Sequence, residues 1–103
     1  MRIIWLPLAQ EDLSKIYNFI ADKSEISAIN VSNDILEAVE LLKKFPQIAP
    51  IEPILSDYPE TFRSLIVRTY KVIYFAHEKT VFITSIWDCR QDPEKLKNTI
   101  GKK

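Results

Sequence analysis

Four of the chain's six prolines fall in one stretch of fifteen residues, PQIAPIEPILSDYPE at positions 46–60. Proline lacks a backbone donor and fixes φ, so a segment this rich in it can be neither a helix nor a central strand. It is expected to form an ordered extended loop. It also divides the chain into two parts with different hydrophobic periods.

Before the loop the period is helical. Arg2 to Leu6 (RIIWL) is a short β-rich run stopped by Pro7. From Ala9 the apolar positions change spacing: Ala9, Leu13, Ile16, Tyr17 and Ile20 form one helical stripe, with Glu11 and Asp12 in the expected first turn. Ser24 is a candidate N-cap for a second helix over residues 25–44, supported by Glu25. Ala28, Val31, Ile35, Ala38, Val39 and Leu42 make the core stripe of that helix, and Lys43 and Lys44 suit its C-terminal end. Ile29, Leu36 and Leu41 add a second apolar edge. Two helices so close in sequence should pack as an antiparallel hairpin.

After the loop the period is that of strands: Phe62 to Val67, Tyr70 to His77, and Val81 to Trp87. The short connection at residues 77–80 predicts an antiparallel hairpin, although it has none of the glycine that such turns favour. The second half of FRSLIVRTYKVIYFA is apolar on both parities, so the sheet centre should be covered on both faces. Asp92 or Pro93 is expected to open a short polar helix, PEKLKNTI, closed by Gly101. The order is β-α-α-β-β-β-α. The fold class is α+β, a helical hairpin on one face of a small antiparallel sheet, in a single domain over residues 1–103.

Composition removes several classes of function. Eleven aromatics among 103 residues, 47% of them apolar, argue against disorder. No window of eighteen apolar residues exists. The opening MRIIWLPLAQEDL lacks the pattern of a secretory leader, which makes the cytoplasm the expected compartment. The single cysteine, Cys89, permits no internal disulfide and is expected to be a small buried hydrophobe. His77 is expected at a strand end on the surface, and one His with one Cys makes no recognisable metal-ligand set. A single glycine excludes phosphate cradles built from glycine backbone. Neither a metal nor a cofactor is therefore expected.

Net charge is zero, but its distribution is uneven. Residues 1–60 carry five bases and ten acids, and residues 61–103 carry nine bases and four acids. A basic C-terminal part points to an anionic partner, unless the sheet simply exposes bases and the helices acids. The candidate constellation there is cationic and aromatic: Arg63, Arg68, Tyr70, Lys71 and Arg90. Arginine suits phosphate because its planar fork stays charged and binds bidentately. Cations on strands about 5 Å apart would concentrate positive potential if they share a face. The alternative is that Arg63 pairs with Asp88 or a helix acid, and that Tyr70, Tyr74 and Phe75 belong to the core. Trp5 and Trp87 are expected to be hydrophobic anchors.

Several motifs, taken in order, carry a family resemblance. The run W-L-x-x-A-x-x-D-L-x-x-I-x-x-F-I (residues 5–20), a second helix followed by Phe45 and Pro46, R-S-L-I-V-R-T-Y-K-V-I-Y (63–74) and I-W-D-C-R-Q-D-P (86–93) resemble the RelE/ParE superfamily, toxins of bacterial type II toxin–antitoxin modules often labelled plasmid stabilisation proteins. The resemblance covers nearly the whole chain. It implies a cognate antitoxin as partner, a hetero-oligomer with it, and one of two targets.

RelE-like members cut mRNA in the ribosomal decoding site without a metal, using strand-borne cations and an acid/base group. ParE-like members share the fold and poison DNA gyrase. Residue by residue, the resemblance implies target-binding roles for Arg63, Arg68, Lys71 and Arg90. If the protein is a nuclease, it implies catalytic roles for Arg63, Lys71 and Arg90, with Tyr70 or His77 as acid/base. Leu65 stands where a second strand lysine would be expected, and Leu96 lies near the place of a C-terminal tyrosine. A lysine at an arginine's bidentate site is not equivalent, and losing the acid/base group removes a factor of about 10²–10⁴ in rate. A pI of 6.6 is low for docking on ribosomal RNA. The pattern is closer to ParE. The alternatives are a ribosome-dependent endoribonuclease and a non-toxic relative that only binds an antitoxin. The second apolar edge of the 25–44 helix and the proline-rich loop are candidate antitoxin-docking surfaces, unless they complete the core.

Overall fold

A computed structural model describes residues 1–91, 95, 96 and 100. The elements are β1 (Arg2–Trp5), α1 (Pro7–Ala21), α2 (Glu25–Leu41), β2 (Arg63–Val67), β3 (Tyr70–His77) and β4 (Thr80–Asp88). They form a four-stranded sheet in the order β1-β4-β3-β2, with the two helices packed on it. The α+β class and the element order agree with expectation. The sheet itself is mixed rather than wholly antiparallel. β2, β3 and β4 form an antiparallel meander, and β1 lies parallel to β4 with Ile4 opposite Phe82.

Local chemistry sets the helix limits. α1 begins two residues earlier than its apolar stripe suggests, because Pro7 fits the first helical position, where its missing N–H costs nothing. Glu11 and Asp12 therefore lie beyond the first turn, and Asp12 has a different role, described below. α2 starts as expected, with Ser24 Oγ accepting from the Ser27 N–H at 3.1 Å. It ends at Leu41, so Lys43 and Lys44 lie in the following turns and not in its last turn. The proline-rich segment is a loop of turns and bends around one 3-10 turn, Pro53–Leu55, capped by the Glu52 side chain; the expectation of an extended loop with no helix missed both. The predicted helix over residues 93–100 lies mostly outside the described residues, as do Asp92, Pro93 and Gly101. Lys95, Leu96 and Ile100 are described as helical.

Both faces of the sheet are covered, as the double-parity apolar run predicts. Between sheet and helices lie Ala9, Val31, Ile35, Val39 and Leu42 against Val72, Tyr74, Val81 and Ile83. Tyr70 and Tyr74 belong to this core, and Trp5 packs against it. The opposite face buries Leu55, Phe62, Ile73, Leu96 and Ile100, with Phe75 and Trp87 packed alongside. Phe62 meets Phe75 edge-on at 5.4 Å, and Phe75 stacks on Phe82 at 5.0 Å.

The two hairpin turns carry backbone strain. His77 pairs with Thr80, leaving Glu78 and Lys79 as a two-residue turn with φ of 49° and 65°. Both angles are left-handed, a region where a Cβ costs about 1–2 kcal/mol per residue and which asparagine and glycine tolerate. Arg68, in the β2–β3 turn, has φ 57°. Replacing Glu78–Lys79 by Asn–Gly is expected to raise stability by about 1 kcal/mol or more. In urea unfolding this reads as a higher midpoint at unchanged slope.

Candidate functional site

The strand register decides which of the sequence-predicted residues meet. Arg63 opposes Tyr74, and Tyr70 opposes both Val67 and Asp88. Arg63 thus shares the helix-facing side with Leu65, Val67, Tyr70 and Tyr74, whereas Lys71 points to the other face. Along that shared side Arg63 lies four residues from the level of Tyr70, about 13 Å at 3.3 Å per residue. Arg68 sits apart in the β2–β3 turn. A single region joining all these cations does not form.

Each cation is also engaged internally. Arg63 donates to the Ala49 carbonyl at 2.8 Å, and so neither Asp88 nor a helix acid is its partner. Arg68 Nε meets Asp34 Oδ2 of α2 at 2.7 Å. Lys71 Nζ meets Glu52 Oε1 at 2.8 Å, with the Glu52 side chain only 4% exposed. Arg90 holds Asp88 bidentately, Nε to Oδ1 at 3.0 Å and Nη2 to Oδ2 at 2.7 Å. Ion pairs thus engage three of the candidate cations, Arg68, Lys71 and Arg90, and a backbone carbonyl holds the fourth, Arg63.

Glu52 fastens the proline-rich loop to the sheet. Its carboxylate also accepts from the Ile54 N–H. Burial pushes Glu52 up, but its hydrogen bonds from Lys71, Ile54 and Ser64 outweigh burial and hold its pKa below 4.5. Tyr74 adds a second tie, donating its hydroxyl to the Pro46 carbonyl at 2.9 Å.

What the fold does bring together is Tyr70 and Arg90, in a cleft of about 390 Å³ between α1 and the end of β4. Asp12, Lys15 and Phe19 of α1 form one wall, and Asp88 and Arg90 the other. Tyr70 lies at the bottom, only 8% exposed. Phe19 is 70% exposed at the rim. The Arg90 and Lys15 side chains both reach solvent. Asp88 engages Nε and Nη2 of Arg90, leaving Nη1 without a partner among the described residues.

Asp12 shapes this cleft. The β3–β4 register slips between Ile73 and Tyr74, leaving Thr84 as an extra residue in β4. Beyond that bulge Asp12 Oδ2 accepts from both Ser85 Oγ at 2.8 Å and the Ile86 N–H at 2.9 Å. Burial pushes the Asp12 carboxyl above its ordinary value, against those two donors and Lys15, which pull it down. Sequence reading passed over Asp12, Lys15 and Phe19 as site residues. The signal for Asp12 was an acid three residues after Ala9, on the margin of the apolar stripe of α1.

The remaining candidates are peripheral. His77 is exposed at the strand end as expected, 3.7 Å from Glu78. Cys89 is exposed, contrary to the expectation of burial, because β4 ends at Asp88 and the chain turns outward while the Cys89 N–H bonds to the Thr69 carbonyl. Among the described residues no group of three or more His, Cys, Asp or Glu gathers as for a metal, and no helix is long and apolar enough to cross a membrane.

The model of the family described as the ParE toxin of the type II toxin–antitoxin system, parDE, matches residues 3–93. The chain belongs to the ParE toxin family. The match spans β1 through Arg90, and so includes both walls of the cleft. A structure titled "Chromosomal ParDE TA system from P. aeruginosa" superposes with a TM-score of 0.70 at 24% identity, covering 85% of this chain and 95% of that one. At that identity the likeness is one of fold. No curated protein matches the sequence.

The Lys71–Glu52 pair should behave as a structural unit. Lys71→Met or Glu52→Gln alone is expected to cost about 2–3 kcal/mol, and the double variant less than their sum, because a buried charge is stranded only in the singles. Since the folded Glu52 pKa lies below 4.5, the wild type should lose this stability as pH falls from about 4.5 through the lower folded value. In Glu52→Gln that part of the acid limb is absent. Urea unfolding between pH 3 and 7 checks both statements.

Proposed function

We propose that this chain is a growth-inhibiting toxin that acts in the cytoplasm by binding DNA gyrase, and that a cognate antitoxin neutralises it in a hetero-oligomer. Membership of the ParE family is the ground for the module, and the structure titled as a ParDE system supports an antitoxin partner. The observation that favours gyrase over mRNA is the dispersal of the nuclease set: Arg63 and Lys71 lie on opposite faces of the sheet and are held by Ala49 and Glu52. A phosphoryl-transfer site needs its donors aimed together at one developing charge. A buried Tyr70 is also poorly placed to exchange protons with a bound hydroxyl.

Target contact is assigned to the cleft, where Arg90 is the outward cation that Asp88 orients and Lys15 stands opposite. Arg63, Arg68 and Lys71 support the surface through their internal pairs. One observation favours the endoribonuclease reading, which is that Tyr70 and Arg90 line the same cleft.

Gyrase incubated with supercoiled DNA, ATP and the purified protein is expected to yield linear DNA on protein denaturation. Arg90→Ala should lower that yield at least tenfold at an unchanged unfolding midpoint. Absence of linear DNA, with cleavage of ribosome-bound mRNA in the A site that Arg90→Ala abolishes, would replace this reading with the nuclease.

A further inference from the structure

The cleft between α1 and the end of β4 holds hydrogen-bonding groups that the chain itself does not use. Tyr70 is more than nine-tenths buried on its floor, yet its hydroxyl has no hydrogen-bond partner among the described residues. A tyrosine buried this far ordinarily pairs its hydroxyl, as Tyr74 does with the Pro46 carbonyl. Tyr70 also lies close enough to Arg90 to act on its guanidinium electrostatically. Asp12 spends only Oδ2 on Ser85 and Ile86, which leaves Oδ1 open among the described residues. With Arg90 Nη1, the cleft therefore offers one donor, one acceptor and one hydroxyl that can be either.

The walls narrow the choice of occupant. Asp12, Lys15, Ile16 and Phe19 of α1 form a single stripe at helical spacing, and Phe19 ends it with most of its surface in solvent. Charges here alternate and do not accumulate. Lys15 pairs with Glu11 at 2.9 Å and Arg90 pairs with Asp88, while Asp12 adds a further acid. Three acids thus stand against two bases, with no positive excess among the described residues. Phosphate binding draws its affinity from cationic excess, and the open Asp12 oxygen would repel a phosphate. That oxygen instead accepts from an amide or a hydroxyl. An exposed aromatic beside an arginine is the pairing that anchors protein–protein contacts.

We propose that the cleft recognises protein and not DNA: it takes from a gyrase subunit an apolar surface that covers Phe19, together with a neutral hydrogen-bonding side chain that reaches Tyr70 and Asp12. This rests on the gyrase reading above. It adds which component of the gyrase–DNA complex is held, and by what chemistry.

The test measures binding of the full chain to each purified gyrase subunit, first without DNA and then with supercoiled DNA. The wild type is expected to bind one subunit alone, with an affinity that falls less than about threefold as salt rises from about 50 to about 300 mM. Two phosphate contacts would cost about twenty-five-fold over that range. Phe19→Ser should weaken binding about tenfold, as loss of an aromatic anchor does. Tyr70→Phe keeps the ring in the core and removes only the open hydroxyl, so it should weaken binding about fivefold at an unchanged unfolding midpoint. A hydroxyl with a purely structural role would lower the midpoint and leave the affinity alone. Binding that appears only with DNA, falls steeply with salt and tolerates Phe19→Ser would place phosphate in the cleft and overturn the proposal, while the gyrase reading stands. Variants that bind gyrase as the wild type does but lose the antitoxin would give the cleft to the antitoxin and also overturn it. A wild type that neither binds gyrase nor yields linear DNA removes both readings.

Discussion

β4 outruns β1, and the way the chain completes that mismatch organises one end of the molecule. β1 stops at Trp5, after which the Leu6 N–H still reaches Ile83. Further along β4, the Ile86 N–H faces a place where no strand continues. An unpartnered buried N–H costs about 1–3 kcal/mol. Asp12 supplies the acceptor, and its single oxygen also takes the Ser85 hydroxyl. A carboxylate is a strong acceptor but loses water on approaching the sheet, and here burial is the larger effect on its pKa. The clamp fixes α1 against the bulge in β4, which sets Lys15 and Phe19 across from Asp88 and Arg90.

Carboxylates elsewhere restrain cations rather than strands. Asp34 ties the left-handed β2–β3 turn to α2 through Arg68, Glu52 ties the proline-rich loop to β3 through Lys71, and Asp88 fixes the plane of Arg90. The first is half exposed and contributes little to stability, since solvent screens such pairs. The second is enclosed and its disruption strands a charge. The third limits the conformations of an exposed arginine and so lowers the entropy cost of engaging a partner. The resulting surface is a shaped cleft with one oriented guanidinium and one lysine that is itself paired with Glu11, not a continuous basic patch.

Much of the architecture was legible because it is local. The Ser24 cap, the stripe of α2 and the double-parity apolar run of β3 each encode their own structure within a few residues. Pro7 was read as a strand stop and proved also to be a helix start, since one residue can satisfy both roles. The parallel pairing of β1 with β4 joins the two ends of the chain, and no local pattern encodes it. The cationic site was misjudged for a related reason. Whether Arg63 and Lys71 meet depends on strand parity and register, and whether they stay free depends on Ala49 and Glu52 in a loop whose path the prolines constrain without specifying. The exposed Leu36 and Leu41 were legible as a second apolar edge, and the structure leaves them uncovered.

The central claim is that the Asp12 carboxylate is the acceptor that completes β4 and holds α1 in place. Carboxyl-carbon NMR titration of Asp12, followed together with the Ile86 amide proton, tests it most directly. The account predicts that Asp12 titrates above 3.8 and that the Ile86 amide shift moves with the same midpoint. An Ile86 amide that stays unmoved while Asp12 titrates would contradict the clamp.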